Sequence, residues 1–135
     1  MLLVDSSVWI DLAQGVPSEA ARFVGARDEA EELATTGIIV QEVLQGARTE
    51  RLYEALRERF EAMLQLEPDG LATYALAAQL YRRARSRGIT VRKPNDCLIA
   101  ALALEHGATL VHNDRDFLAI AQVAPALTIF PGRAH

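Results

Sequence analysis

The segment MLLVDSS, residues 1–7, decides the architecture of the chain. Its apolar start is stopped by Asp5, Ser6 and Ser7, whose side chains are of the kind that caps the unpaired amide groups at the start of a helix. An apolar run followed by capping residues predicts a buried strand that leads directly into a helix. The segment therefore predicts that Asp5 lies at the carboxyl end of a core strand.

The same alternation continues along the chain. Further strands are predicted at residues 33–36, 64–66, 109–111 and 127–130, and helices at residues 7–13, 18–31, 38–47, 49–63, 71–87, 95–106 and 116–123. Short apolar strands that alternate with helices are typical of α/β folds, in which helices cover a parallel sheet. In such sheets ligands bind beyond the carboxyl ends of the strands.

Length and composition set further bounds. A chain of 135 residues is expected to form one domain over residues 1–135, since chains of this size bury a single core. No apolar run reaches the roughly 18 residues of a membrane span, and residues 1–4 show no signal-peptide pattern. The single Cys97 excludes an internal disulfide and fits a reducing compartment. The sequence therefore predicts a cytoplasmic protein that does not enter the membrane.

Three acidic residues occupy positions where a charge needs compensation. Asp5 ends an apolar strand, and Asp114 follows another predicted strand. Asp96 lies on the packing arc of a predicted helix, residues 95–106, that is apolar nearly all round. A buried, unpaired carboxylate costs several kcal/mol, although helix capping would account for any one of the three taken alone.

The other acids are less distinctive. Glu42 falls off the main apolar arc of its predicted helix, which on periodicity alone is typical of an exposed glutamate. Asp114 and Asp116 both precede a helix, so one of them is expected to be its N-cap, and Asp116 is the better capping candidate. His112 is interpreted as structural in preference to a substrate contact.

Taken together, acids at two strand ends and at one buried helix start predict a shared site. Carboxylates share a site only if their pKa values rise or a cation binds. Oxygen ligands without a group of histidines or cysteines favour Mg²⁺ or Mn²⁺ over zinc. Such ions act on phosphate esters by activating a water and stabilising the leaving oxygen.

Six of the fourteen basic residues fall between residues 82 and 93, although the formal net charge of the chain is −4. They are Arg82, Arg83, Arg85, Arg87, Arg92 and Lys93. Two interpretations stay open: a solvated helix end that complements the helix dipole, or a patch that contacts phosphates. The negative net charge argues only weakly against nucleic acid, since a metal neutralises the carboxylates gathered around it.

Four acid-bearing segments resemble the PIN-domain family, specifically the VapC-like toxins of bacterial toxin–antitoxin pairs. They are VDSSVWID at residues 4–11, TTGIIVQEVLQG at 35–46, PNDCLIAA at 94–101 and HNDRDF at 112–117. They stand in the family's order and approximate spacing and extend over nearly the whole chain. The resemblance implies a PIN-like three-layer α/β fold, with a short central parallel sheet of four or five strands flanked by helices.

The resemblance also implies site residues. The family's four acidic positions fall on Asp5, Glu42, Asp96 and Asp114, with Asp116 as the alternative for the fourth. Asp5 and Asp96 would be the principal metal ligands. Asp114 and Glu42 would complete the metal shell and orient the nucleophile.

The implied reaction is cleavage of RNA phosphodiester bonds by an endoribonuclease that depends on Mg²⁺ or Mn²⁺. Ser7 would hydrogen-bond to the first acid, and the substrate phosphates would lie against Arg82, Arg85, Arg92 and Lys93. Family members often cut transfer RNA or ribosomal RNA and usually form homodimers. They are the toxins of type II pairs, and a cognate antitoxin protein masks their active site with its tail.

Three alternatives remain. A haloacid-dehalogenase-like, Mg-dependent phosphatase also has an Asp at a strand end, but requires a second Asp two residues on, where Ser7 stands. A phospho-receiver domain would share the Lys93-Pro94 turn, but the strand for its phospho-acceptor is missing and Asp5 has no acidic neighbour. A non-catalytic antitoxin-binding or dimerisation module is disfavoured by the retention of all four acids.

Overall fold

In a computed structural model that describes residues 1–27 and 32–132, the chain folds around a five-stranded sheet. The strands are β1 (Leu2–Val4), β2 (Leu33–Thr35), β3 (Leu64–Gln65), β4 (Thr109–Val111) and β5 (Ile129–Phe130). The helices of the described ranges are α1 (Ser6–Gln14), α2 (Glu19–Gly25), α3 (Gly37–Leu44), α4 (Glu50–Glu61), α5 (Gly70–Ser86), α6 (Pro94–His106) and α7 (Arg115–Val123). This order confirms the predicted α/β architecture.

The sheet has the strand order β3-β2-β1-β4-β5, and every pair of neighbours is parallel. The order reverses at β1, because β2 and β3 lie on one side of it and β4 and β5 on the other. Such a reversal leaves a crevice at the carboxyl edge of the sheet, between the two strands where it occurs. Asp5 follows β1 and Asp114 comes shortly after β4, so both residues lie at this crevice.

Burial explains why these strands are apolar without alternation. Leu3 and Val4 of β1 and Leu110 and Val111 of β4 are completely buried, as expected of parallel strands covered by helices on both faces. The strands are short, so the chain leaves the core directly at its carboxyl edge. Polar residues at this carboxyl edge are therefore anchored directly to the buried strands.

Helix α6 holds Asp96 against the core. Pro94 stands at its first turn, where a missing amide hydrogen costs nothing, and Gly107 ends it in a left-handed conformation with φ 63°. Most of its interior is buried and rich in alanine, so it packs closely against α5. Asp96 lies in the first turn and is only 2 % exposed.

Several predicted boundaries were wrong. The helix predicted at residues 18–31 ends at Gly25, and residues 28–31 lie outside the described ranges. The second strand ends at Thr35, since Thr36 is the N-cap residue of α3, and the Thr36 hydroxyl donates to the carbonyl of Leu66 at 2.7 Å. Within residues 1–27 and 32–132, the helices are too short or too polar for one of them to span a membrane.

Candidate active site

The acidic residues singled out from the sequence lie together at the carboxyl edge of the sheet. Carboxylate oxygens of Asp96, Asp114 and Asp116 lie within 4.8 Å of one another. Asp5 and Glu42 lie near this group: besides burial, the charge of Asp5 raises the pKa of Asp96, and the charges of Asp5 and Asp114 raise the pKa of Glu42. Acids from four separate segments of the chain therefore act on one another at this edge of the sheet.

Several buried carboxylate oxygens at this site have no hydrogen-bond donor. Four carboxylate oxygens are buried and accept no hydrogen bond from the described residues. They are Asp5 Oδ1, Glu42 Oε1, Asp96 Oδ2 and Asp116 Oδ2. Buried polar atoms are normally paired, and a set of oxygens alone is what a hard divalent cation prefers. The residues present therefore fit Mg²⁺ or Mn²⁺.

The pKa values of the acids show how poorly the pocket tolerates its own charge. Burial and the nearby charge of Asp5 raise the pKa of Asp96 to about 8. Burial, followed by the charge of Asp5, also raises the pKa of Glu42. Burial raises the pKa of Asp5 as well, although hydrogen bonds from Ser7 oppose this shift. A bound cation would favour the ionised forms and so reverse these shifts.

A chain of hydrogen bonds fixes Asp5. Its Oδ2 accepts from the amide of Ser7 at 3.0 Å and from the Ser7 hydroxyl at 2.6 Å. The same hydroxyl accepts from the amide of Asn113 at 3.0 Å, and the Asn113 side chain donates to Asp11 at 2.7 Å. Asp5 is thus tied to the loop after β4, which carries Asp114.

The capping of α7 differs from the prediction. Asp114, not Asp116, is the N-cap, and its Oδ1 accepts from the amide of Asp116 at 2.9 Å. The preference for Asp116 as the cap was wrong because the backbone is still extended at Asp114, whereas Asp116 is already inside the helix. Both residues nevertheless contribute oxygens to the cluster.

Two basic residues stand beside the acids. Lys93 donates a hydrogen bond to Asp114 Oδ2 and its Nζ lies 3.9 Å from Asp96 Oδ2. Arg92 donates from Nε to Asp116 Oδ1 at 3.3 Å. Burial opposes ionisation of both Lys93 and Asp114. The hydrogen bond between them nevertheless lowers the pKa of Asp114 and raises that of Lys93. The pocket thus carries its own partial counter-charge.

Comparison with known proteins identifies the family. The model of the PIN domain family matches residues 2–123. The chain belongs to the PIN-domain family. Its relatives include Ribonuclease VapC11 of Mycobacterium tuberculosis and a VapC ribonuclease of Mycobacterium bovis. Each is 39 % identical over 125 residues, which cover 91 % of this chain and 93 % of the relative.

Solved structures share the fold of this PIN domain. FitAcB from Neisseria gonorrhoeae aligns with a TM-score of 0.69 and 22 % identity over 96 % of both chains. VapBC-1 from nontypeable Haemophilus influenzae aligns with a TM-score of 0.71 and 20 % identity over 95 % of both chains. The resemblance inferred from the four acidic segments is therefore confirmed, as is the PIN-like fold.

The remaining basic residues of the run at 82–93 do not reach the acids. Arg82 donates to the side chain of Gln79 at 2.8 Å, Arg85 lies over the Tyr81 ring at 5.9 Å, and Arg87 donates to the carbonyl of Gln122 at 3.0 Å. Among the described residues, none of these arginines pairs with an acid of the cluster. The basic residues at 82–93, which are close together in the sequence, therefore lie in two places: some on α5, and Arg92 and Lys93 beside the acids of the PIN site.

His112 joins the ends of β4 and β5. The ring is 3 % exposed, its Nε2 lies 2.9 Å from the carbonyl of Pro131, and its Nδ1 accepts from the amide of Asp114 at 3.1 Å. Burial lowers the pKa of the imidazole, so the ring is neutral, with its proton on Nε2. These contacts agree with a structural part for His112, since it holds the backbone of an acid in the cluster.

Sequence reasoning misjudged one residue of the PIN pocket and missed another. Glu42 was expected to be exposed, but it is half-buried and its Oε1 is fully enclosed. A helical wheel shows only the helix itself, and the burial comes from residues of other elements. Asn113 was not singled out, although its position between a strand and an N-cap was the available signal.

Proposed function

We propose that this PIN domain is a divalent-metal-dependent endoribonuclease that acts as the toxin of a type II toxin–antitoxin pair. The observation that carries the proposal is the group of four buried carboxylate oxygens without a proton donor. Identity of 39 % with a ribonuclease over 91 % of the chain supports RNA as the substrate. The enzyme is one domain over residues 1–135 and works in the cytoplasm, a reducing compartment that suits the free Cys97.

The ligand set follows from which oxygens are unpartnered. Asp5 and Asp96 each present a buried oxygen without a hydrogen bond, and we assign them as principal ligands of Mg²⁺ or Mn²⁺, with Glu42 completing the shell. Asp114 already uses Oδ1 for the Asp116 amide and Oδ2 for a lysine. It therefore joins the shell only when that lysine leaves, whereas Asp116 offers Oδ2 without rearrangement.

When bound, a divalent cation supplies a water of lowered pKa and stabilises charge on the leaving oxygen. The side chains of the protein orient the metal ligands and the substrate. Ser7 holds the Asp5 carboxylate in one orientation through two hydrogen bonds. As part of that shell, Glu42 would orient the attacking water. Arg92 and Lys93 offset negative charge as the phosphate approaches.

Sequencing of RNA ends after brief expression tests the proposal. Wild type is expected to generate new, discrete RNA ends that are absent with Asp96→Ala or Asp5→Ala. Purified wild type should cut a transfer-RNA pool with Mg²⁺ or Mn²⁺ and not with EDTA. Equal end patterns for wild type and Asp96→Ala would overturn the proposal. Hydrolysis of a small phosphomonoester without RNA cleavage would favour the phosphatase alternative instead.

We further propose that a cognate antitoxin occupies an apolar groove between α1, α3 and α4. Solved relatives of the same fold include a toxin–antitoxin complex from Klebsiella pneumoniae, with a TM-score of 0.68. The groove exposes Ile10 and Leu52, at 41 % and 40 %, and it is also lined by Glu42 of the acid cluster. A peptide in this groove would lie beside the carboxylates and could mask them.

Co-purification with the antitoxin and an RNA-cleavage assay, applied to the same variants, test the proposed partner and the proposed catalysis together. Ile10→Asp is expected to abolish co-purification with the antitoxin while RNA cleavage persists. Asp5→Ala should do the reverse, with cleavage lost and the antitoxin retained. A wild type that retains the antitoxin but cuts no RNA would instead favour a module that only binds.

We also propose a homodimer through the exposed face of α5. This helix leaves Leu71 and Tyr74 exposed at 83 % and 52 %, next to a groove against α6 that Tyr81 and Leu98 line. Light scattering should give a dimer for wild type and a monomer for Tyr74→Glu. Leu64→Glu, at a 58 % exposed position on β3, is the control and should stay dimeric.

A further inference from the structure

A cleft of about 940 Å³ opens beside the acid cluster, between α2 and the start of α7. Its volume falls at the upper end of the roughly 300–1,000 Å³ of ligand sites, so it holds more than one phosphate group. Asp114 and Asn113 form one part of its lining. The cleft is therefore continuous with the pocket of the carboxylates.

Arginines from three separate segments line this cleft. Arg22 comes from α2, Arg92 precedes α6, and Arg115 is the first residue of α7. Among the described residues that line it, Glu19 is the one acid outside the carboxylate cluster. Apart from Asp114, which belongs to the cluster, the lining thus carries more positive than negative charge.

These arginines keep donors for a ligand. Arg115 is exposed and makes no hydrogen bond or ion pair with the rest of the described chain. Arg22 gives one Nη1 bond to the carbonyl of Pro17 at 3.0 Å and is otherwise exposed. Arg92 uses Nε for Asp116, and 62 % of its side chain remains exposed. A guanidinium has five donors, so each can bind phosphate oxygens as a fork.

We propose that this cleft holds the RNA strand on one side of the scissile phosphate, with Arg22 and Arg115 binding phosphates beyond it. The inference rests on the proposed function, which places the scissile phosphate at the acid cluster. Asp114 of the acid cluster and the three arginines line the same cleft, so a strand whose scissile phosphate lies at the cluster extends past the arginines. Arg82 and Arg85, the phosphate contacts expected from sequence, do not line the cleft and are assigned no part in this path.

Binding of a labelled transfer-RNA pool, with Ca²⁺ in place of Mg²⁺, tests the assignment over a series of salt concentrations. Arg22→Gln and Arg115→Gln should each weaken binding by about three- to tenfold and reduce the slope of log K against log salt by about 0.7–0.9. The double variant should lose about two such increments of slope. Its Mn²⁺ affinity without RNA should equal that of wild type. The matched control is Arg82→Gln with Arg85→Gln, which removes the same charge from α5 and should leave Kd and slope unchanged.

The outcomes separate this inference from the function on which it rests. Suppose that the double variant Arg22→Gln, Arg115→Gln cuts RNA at the wild-type rate and binds it with the wild-type Kd and salt slope. This result would overturn the cleft assignment and leave the proposed function standing. Weaker RNA binding in the α5 control would move the path to α5 and also overturn it. Loss of antitoxin binding with intact RNA binding would assign the cleft to the protein partner. A wild type that neither binds nor cuts RNA would end both proposals.

Discussion

The Lys93 ammonium donates a hydrogen bond to Asp114 Oδ2, a carboxylate 21 residues further along the chain. The same nitrogen lies 3.9 Å from Asp96 Oδ2. Without a metal, the lysine thus neutralises the side of the pocket that Asp114 would offer to a cation. If Asp96 and Asp114 hold a metal as proposed, lysine and metal compete for the same carboxylates.

Replacing Lys93 with methionine should tighten metal binding. We expect Lys93→Met to lower the Kd for Mn²⁺ by up to about fivefold, the equivalent of the ~1 kcal/mol upper range of part-exposed ion pairs. The thermal midpoint in EDTA should fall, since the acids lose their counter-charge. Titration calorimetry and melting curves check both effects. Arg57→Met, which removes an exposed pair with Glu61, is the control and should leave Mn²⁺ affinity unchanged.

The pocket should also make stability depend on pH. Because folding raises the pKa of Asp96 to about 8, the folded state keeps a proton that the unfolded chain has released. This contribution is complete below the unfolded pKa of about 4 and is lost as the pH rises through about 8. Asp5 and Glu42, whose pKa values are also raised, act in the same direction.

In EDTA, the melting temperature should therefore fall between about pH 5 and pH 8. Asp96→Asn should flatten this decline and melt above wild type near pH 8, because the amide needs no proton. Added Mn²⁺ should raise the wild-type midpoint most at high pH, where the acids are ionised. A wild-type midpoint that rises with pH in EDTA would contradict the raised pKa values.

Ser7 should affect the metal site more than the fold. Its hydroxyl joins Asp5 to the amide of Asn113, and residues that orient ligands typically change metal affinity by about 10–100-fold when removed. We expect Ser7→Ala to weaken Mn²⁺ binding by about tenfold. Thr49→Ala removes the N-cap of α4 and should cost about 1 kcal/mol of stability, with Mn²⁺ affinity unchanged. Equal Mn²⁺ affinity in wild type and Ser7→Ala would show that Asp5 needs no such support.

His112 should matter for stability. His112→Phe leaves the amide of Asp114 and the carbonyl of Pro131 without their partner, so we expect a loss of about 1–3 kcal/mol in urea unfolding. His112→Asn, which can still accept from the Asp114 amide, should recover part of the loss. His106→Phe, at an exposed ring bonded to the Glu67 carbonyl, should change stability by less than about 0.5 kcal/mol. An unchanged urea midpoint for His112→Phe would show that the His112 ring does not stabilise the site.

Most of the fold could be predicted from local pattern. Short apolar runs with capping residues behind them gave the order of strands and helices, and β4 was predicted at its observed bounds. Errors arose where a tertiary contact competes with the local signal. Thr36, predicted to end the second strand, is instead the N-cap residue of α3, and its hydroxyl donates to the carbonyl of Leu66, just after β3.

The site was predictable in its members and not in its arrangement. Asp5 and Asp96 stood out because a carboxylate in apolar surroundings needs compensation, and both are 2 % exposed. Glu42 was recognised only through the family resemblance, since its burial depends on other elements. Arg22 and Arg115 gave no signal at all, because isolated surface arginines are ordinary in any sequence.

By itself, the sequence determined the alternation of strand and helix and the placing of acids where strands end, since hydrophobic periodicity and capping act over a few neighbouring residues. Only the tertiary structure decided that Lys93 bonds to Asp114, that Asp114 rather than Asp116 caps α7, and that Arg22 and Arg115 line one cleft. The reason is that these relations depend on distances between segments remote in the chain. The order of strands in the sheet sets those distances, and local pattern does not contain it.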